Sequence, residues 1–143
     1  MITAIRAPEL AALLRPSLLR LTRLVRNQRV DTSITLTALS AMASLRKHGP
    51  MSAGELAAFE RVQPPSMTKV LAALEDKQLV RRDSHPHDRR QAILEITEAG
   101  VALLDSEQRS RDLWLSTQLE SLTADERALL QRVVPILDKL AAQ

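Results

Sequence analysis

A mainly helical chain carrying one small β-hairpin is predicted by three observations. Apolar residues recur at the helical period in two outer stretches, Leu10, Leu14, Leu18, Leu21 and Val25 in one and Leu129, Leu130, Val133, Leu137 and Leu140 in the other. Two capping-box spellings, Ser52-Ala-Gly-Glu55 and Thr123-Ala-Asp-Glu126, mark helix starts. Between them the period changes: residues 79–82 and 92–96 read as short strands around a polar, proline-containing loop at 84–91.

Taken in order, the first amphipathic helix keeps Arg15, Arg20, Arg23, Arg26 and Arg29 largely off its apolar stripe, and Pro16, which lacks an N–H, predicts a boundary or kink near Arg15. A second helix spans 37–47 with Leu39, Met42 and Leu45 inward, and Gly49-Pro50 ends it. The Ser52 hydroxyl then opens a short third helix over 53–60. Pro64-Pro65 occupies a first turn where missing N–H groups are tolerated, and Met67, Val70, Leu71 and Leu74 form the inward stripe of a fourth helix running to Lys77. After the hairpin, Thr97 caps a long fifth helix with Val101, Leu104, Leu115, Leu119 and Leu122 apolar. The sixth helix starts at the second capping box and carries Pro135 as an expected kink.

Composition narrows the chemistry. The chain has 143 residues, enough to bury roughly two thirds of its unfolded surface without a disulfide or metal staple, and it has no cysteine. Thiol catalysis, cysteine-rich zinc sites, iron–sulfur ligation and a thiol redox switch are excluded. Phe59 and Trp114 are the only aromatics, too few for base-stacking platforms, and Trp114 at helical spacing reads as core or interface rather than cavity lining. Three glycines, at 49, 54 and 100, cannot spell a phosphate loop or a dinucleotide fingerprint. His85-Pro-His87-Asp88 offers two or three metal donors on one loop, with His48 the sole other histidine, so no metal site and no cofactor is expected. Serines and histidines fall in caps and loops with no triad partner at a suggestive spacing, so no catalytic residue and no enzyme is expected. No stretch reads as a signal peptide or membrane span, and a soluble, cytoplasmic protein is expected.

Charge is unevenly spread. Residues 1–30 hold six Arg against one Glu, 61–91 hold seven basic against four acidic residues, and 92–143 hold five against nine. A basic middle before an acidic tail predicts one surface that faces a polyanion.

Helices followed by a hairpin make a winged helix-turn-helix, whose last helix before the hairpin enters a major groove while the hairpin loop lies along the minor groove. At 100° per residue the fourth helix sets Pro65 and Lys69 opposite its apolar stripe, with Ser66 and Thr68 at the edges of that outer face. Small hydroxyls and one lysine there can read base edges or a thymine methyl; capping of the first turn is the alternative role for Ser66 and Thr68. Arg89 and Arg90 at a hairpin tip suit a narrow minor groove, against the alternative of a solvated charge run. Arg61, Arg81 and Arg82 are phosphate-contact candidates, and Arg82 has the alternative of pairing within the hairpin. The outer helices carry more apolar surface than a winged unit can cover, which predicts a homodimer through Leu10, Leu14, Leu21, Leu129, Val133, Leu137 and Leu140.

Gly54-Glu-Leu-Ala57, Pro65-Ser-Met-Thr-Lys-Val70, Leu79-Val-Arg-Arg82 and Asp88-Arg-Arg90 followed by Ile96-Thr97 resemble the MarR family of bacterial transcription regulators, and helix order fits from about residue 10 to 141. The resemblance implies a wing whose inserted side chain is Arg90, oriented by Asp88 through a charge-assisted hydrogen bond. It implies a homodimer that binds double-stranded DNA at a palindromic operator and is tuned, most simply as a repressor, by a small phenolic or lipophilic effector. The family's usual glycine after the fourth helix is Gln78 here, at a left-handed position. The expected layout is an N-terminal dimerisation helix (1–34), a winged DNA-binding region (35–97) and C-terminal dimerisation helices (98–143). A winged-helix module binding an acidic protein partner without specific DNA binding is the alternative reading.

Overall fold

Buried apolar side chains at helical spacing build the core of residues 29–108 in the protein, whose computed structural model describes residues 4–88 and 90–142. Helix α2 (Leu36–His48) starts where the Thr35 hydroxyl accepts the Ala38 N–H and ends at Gly49, whose φ of 85° lies in the left-handed region. It buries Ala38, Leu39, Ala41, Met42 and Leu45. Helix α3 (Ala53–Glu60) follows, opened by the Ser52 hydroxyl accepting the Glu55 N–H at 3.1 Å. Helix α4 (Pro64–Asp76) contributes Met67, Leu71 and Leu74 to the same core. Glu60 joins two of these helices, its carboxylate accepting hydrogen bonds from Ser40 at 2.7 Å and from the buried Ser44 hydroxyl of α2.

The hairpin is wider than predicted. Strands β1 (Met51–Ser52), β2 (Val80–Ser84) and β3 (Ala92–Ile96) form an antiparallel sheet in the order β1-β3-β2, with Met51 opposite Leu94 and Val80 opposite Ile96. A two-residue strand has no period for a sequence to display; β1 exists because β3 has a free edge beside it. Strand β2 also starts one residue later than predicted, since Leu79 is used in the turn that closes α4.

Two long helices and part of a third complete the chain. Helix α1 (Ala7–Arg26) runs unbroken through Pro16, so the boundary expected near Arg15 is absent. Pro16 and Ala12 are both exposed, so the one carbonyl left without its helical partner is solvated and the helix tolerates the loss. Helix α5 (Glu98–Glu120) is capped by Thr97, and α6 (Ala124–Ala141) opens on a complete capping box between Thr123 and Glu126 and continues through Pro135.

The chain divides into two compact units, Arg29–Gln108 and Met1–Gln28 with Arg109–Gln143. The first contains the whole buried core, against which Leu103 and Leu104 of α5 pack. In the second, neither α1 nor α6 has a buried residue.

One buried charge organises the first unit. Glu107 is 1% exposed, and its carboxylate accepts the Val30 N–H at 3.2 Å and the Asp31 N–H at 3.1 Å. Arg29 Nε lies 3.6 Å away, an ion-pair distance, while its Nη2 donates to the Asp31 carbonyl at 3.1 Å and to the Ile34 carbonyl. The segment before α2 is thereby tied to α5 at three points. Removing the carboxylate strands two N–H groups and a guanidinium in a desolvated place. Glu107→Ala is expected to destabilise the protein by about 3 kcal/mol, read as a lower urea midpoint at unchanged slope.

Candidate nucleic-acid interface

The outer face of α4 is built by the core on its other side. Met67, Leu71 and Leu74 are buried, which turns Pro65, Ser66, Thr68 and Lys69 outward, all exposed. No side chain caps the helix at Gln63, and the Thr68 hydroxyl donates back to the Pro64 carbonyl at 3.0 Å. First-turn capping is thus a role that neither Ser66 nor Thr68 performs among the described contacts. Prolines at 64 and 65 carry no N–H, so Ser66 supplies the one N–H that the first turn presents outward, because Met67 already donates to the Gln63 carbonyl at 3.0 Å.

Both ends of the turn-and-helix segment close without glycine. Arg61, exposed between α3 and α4, has φ 55°, and Val62 N–H donates to the Ala57 carbonyl at 2.9 Å. Gln78 after α4 has φ 60°, with Gln78 N–H to the Glu75 carbonyl and Leu79 N–H to the Leu74 carbonyl, each 2.9 Å. This bond pair is a Schellman ending, in which Leu79 and Leu74, both buried, make the accompanying apolar contact.

Thr97 locks that ending to the wing. Its hydroxyl donates to the Gln78 carbonyl at 2.7 Å and accepts the Gly100 N–H at 3.1 Å, while its own N–H donates to the Leu79 carbonyl at 3.1 Å. A Cβ on Gly100 would strike the Leu79 carbonyl oxygen and come within 2.7 Å of Ile96 Cγ1. Only glycine lets α5 start so close.

Two of the hairpin's arginines are already engaged. Arg81, opposite Glu95 in the sheet, donates to that carboxylate and to Asp83 at 3.2 Å, and these bonds, Glu95's first, raise its guanidinium above the ordinary value. Arg82 holds Glu75 of α4 at 2.8 and 3.2 Å, which raises it likewise. Arg82 therefore pairs with α4 rather than with its own hairpin, and these ion pairs compensate both charges.

The loop beyond the strands carries the remaining candidates. Arg90 is exposed, and Asp88 accepts its backbone N–H at 3.0 Å; the carboxylate reaches Arg90 through the main chain rather than through the guanidinium. Arg89 lies outside the described residues. The residue that sequence reasoning missed is His85. Read there as a weak metal donor, it instead accepts the N–H groups of His87 and Asp88 on Nδ1, each at 3.1 Å. A polar side chain two and three residues before backbone N–H groups in a proline-bearing loop is the signal that could have found it.

Among the described residues, no group of three or more His, Asp or Glu could hold a metal ion, and no helix is long and apolar enough to cross a membrane. The predicted dimer residues sit on α1 and α6, with Leu10 and Leu21 each 46% exposed, Leu129 59% and Leu140 58%, and with Leu14, Val133 and Leu137 half-buried.

Comparison with known proteins adds independent information. The model of the MarR family matches residues 34–92. An uncharacterized HTH-type transcriptional regulator of Mycobacterium leprae is 37% identical over 131 residues, 92% of each chain. The HTH-type transcriptional repressor NicR of Pseudomonas putida is 32% identical over 118 residues, 82% of this chain and 75% of its own. The crystal structure of the YusO protein from Bacillus subtilis superposes with a TM-score of 0.75 at 25% identity, covering 94% of this chain and 99% of that one.

The left-handed Gln78 generates a stability test. Glycine adopts that conformation without the Cβ penalty, so Gln78→Gly is expected to raise stability by up to about 1 kcal/mol, seen as a higher thermal midpoint. A lower midpoint would show that the Gln78 side chain contributes more than its backbone costs.

Proposed function

The chain belongs to the MarR family of HTH-type transcriptional regulators, and from that premise we propose that it works as a homodimeric repressor on a palindromic operator, released by a small effector. The observation that carries the reading is the outer face of α4: Pro65, Ser66, Thr68 and Lys69 are exposed on the helix whose opposite side is core, next to a wing that ends in an exposed Arg90. In such an arrangement Lys69 and the Ser66 hydroxyl reach base edges in the major groove, while Arg61 and the Ser66 N–H meet phosphates. Thr68, whose hydroxyl proton is spent on Pro64, offers an acceptor oxygen and a methyl group. Arg90 enters the neighbouring minor groove. The repressor sense rests on the likeness to NicR, and the phenolic or lipophilic effector on family resemblance alone.

The dimer reading rests on apolar side chains of α1 and α6 that stay exposed or only half-buried. Neither α1 nor α6 has a buried residue, yet both carry leucines along one stripe. Faces of that size are rare on monomers, and a second copy related by a two-fold axis covers them self-complementarily. Two such copies set two α4 helices for two half-sites. The layout that follows is dimerisation through residues 1–34 and 98–143 around a DNA-binding region at 35–97.

Two substitutions separate reading from anchoring. On a site recovered by selecting bound genomic fragments, Lys69→Ala is expected to cost on the order of 1 to 3 kcal/mol, and much less on mixed-sequence DNA. Arg90→Ala is expected to weaken both by similar factors and to lower the salt slope by about one phosphate per subunit. A wild-type protein that shows no salt-dependent shift on any duplex would favour an acidic protein partner instead.

Sedimentation equilibrium tests the assembly. The wild type is expected at twice the 15.9 kDa chain mass, and Leu137→Glu, which puts an unpaired carboxylate into the seam, is expected at the chain mass with operator binding lost. A monomeric wild type would remove the two-half-site reading.

A further inference from the structure

We propose that His85 is the positioning residue of the wing: its imidazole Nδ1 holds the loop in the shape that presents Arg90 to DNA. The proposal rests on the regulator reading above and adds a residue to it. His85 N–H donates to the Gln91 carbonyl at 3.1 Å and closes the loop at its base. Inside that closure the backbone turns on side-chain acceptors. His85 Nδ1 takes the N–H groups of His87 and Asp88, each at 3.1 Å. Asp88 Oδ1 takes the Arg90 N–H at 3.0 Å, and Gln91 N–H donates to the Asp88 carbonyl at 3.1 Å. The contacts run from the imidazole through Asp88 to Arg90, which is how His85 would bear on the position of Arg90.

The chemistry fixes the state of the ring. A nitrogen that accepts two N–H groups has no proton of its own, so the ring proton of His85 sits on Nε2, and the imidazolium form could accept neither bond. His85 is half-buried, with the His87 ring edge-on at a centroid distance of 6.1 Å. Asparagine is the conservative replacement because its Oδ1 stands at the same distance along the side chain and accepts N–H groups two and three residues on. Alanine cannot accept them, and phenylalanine keeps the ring without the acceptor.

The loop shape matters because insertion into a minor groove needs a side chain held ready rather than searched for. Ordering a free loop on binding would reduce affinity, and a preformed one avoids that loss. His85 itself need not touch DNA for this role.

A double-mutant cycle tests it, using the full-length protein and a mixed-sequence duplex of about 30 base pairs, or roughly three helical turns. His85→Ala and His85→Phe are expected to weaken binding several-fold with the thermal midpoint unmoved, and His85→Asn to recover most of the loss. In an Arg90→Ala background, His85→Ala is expected to cost nothing further. Long-range proton–nitrogen spectra of the free protein at neutral pH are expected to show the Nε2–H tautomer for His85. Equal losses from His85→Ala with and without Arg90, failure of His85→Asn to recover binding, or an Nδ1–H tautomer would each overturn the proposal. If the wild type binds the duplex and His85→Ala binds equally well, the positioning role alone falls. If the wild type binds no duplex, the regulator reading falls and takes this role with it.

Discussion

The close approach of the first turn of α5 to the chain leaving α4 is the contact on which the candidate interface depends. The Leu79 carbonyl accepts the Thr97 N–H from directly beneath that turn, and Gly100 supplies the empty space that makes the approach possible. The Thr97 hydroxyl works in both directions, donating to the carbonyl of a strained residue and accepting the N–H that a helix start leaves orphaned. One residue thus terminates a helix, closes the base of a hairpin and begins the next helix. The angle between the outer face of α4 and the wing is inherited from this joint, because both elements meet at it. Arg82 adds a second tie between the same two elements through Glu75.

Charge on the basic stretch is redistributed by folding rather than simply displayed. Arg81 and Arg82 are spent on Glu95, Asp83 and Glu75, whereas Arg61, Lys69 and Arg90 form no ion pair among the described residues. Exposed pairs of this kind stabilise a fold little. Their larger effect is to concentrate the uncompensated positive charge at the helix turn, the start of α4 and the wing tip.

The two compact units are stabilised by different means. The unit from Arg29 to Gln108 is closed by its own leucines and methionines, and its one buried carboxylate is satisfied by backbone N–H groups of the segment preceding α2. In the unit formed by α1, the second half of α5 and α6, α6 opens on a capping box and α1 has no side-chain cap, and neither helix has a buried residue. Helical packing rather than propensity supplies most helix stability in proteins, and the proposed second copy would supply it to these helices.

Local rules account for what the sequence determined by itself. Caps at Ser52, Thr97 and Thr123, the left-handed stop at Gly49, and inward stripes at a period of 3.6 are contained within a few residues of chain, and the helix positions follow from them with small errors at the ends, such as the Thr35 cap that starts α2 one residue ahead of the expected position 37. The outward placing of Ser66, Thr68 and Lys69 was legible for the same reason, since it is the complement of an apolar stripe. Tertiary structure decided what needs a partner distant in sequence. Strand β1 exists only against β3, the buried charge of Glu107 only against residues 29–31, and the pairing of Arg82 only against Glu75, none of which leaves a local pattern. Pro16 shows the converse, a local signal for a break that solvation of one carbonyl overruled. His85 lies between the two cases: its partners are two and three residues away, but whether an imidazole accepts from the backbone or faces outward depends on how the surrounding loop is closed.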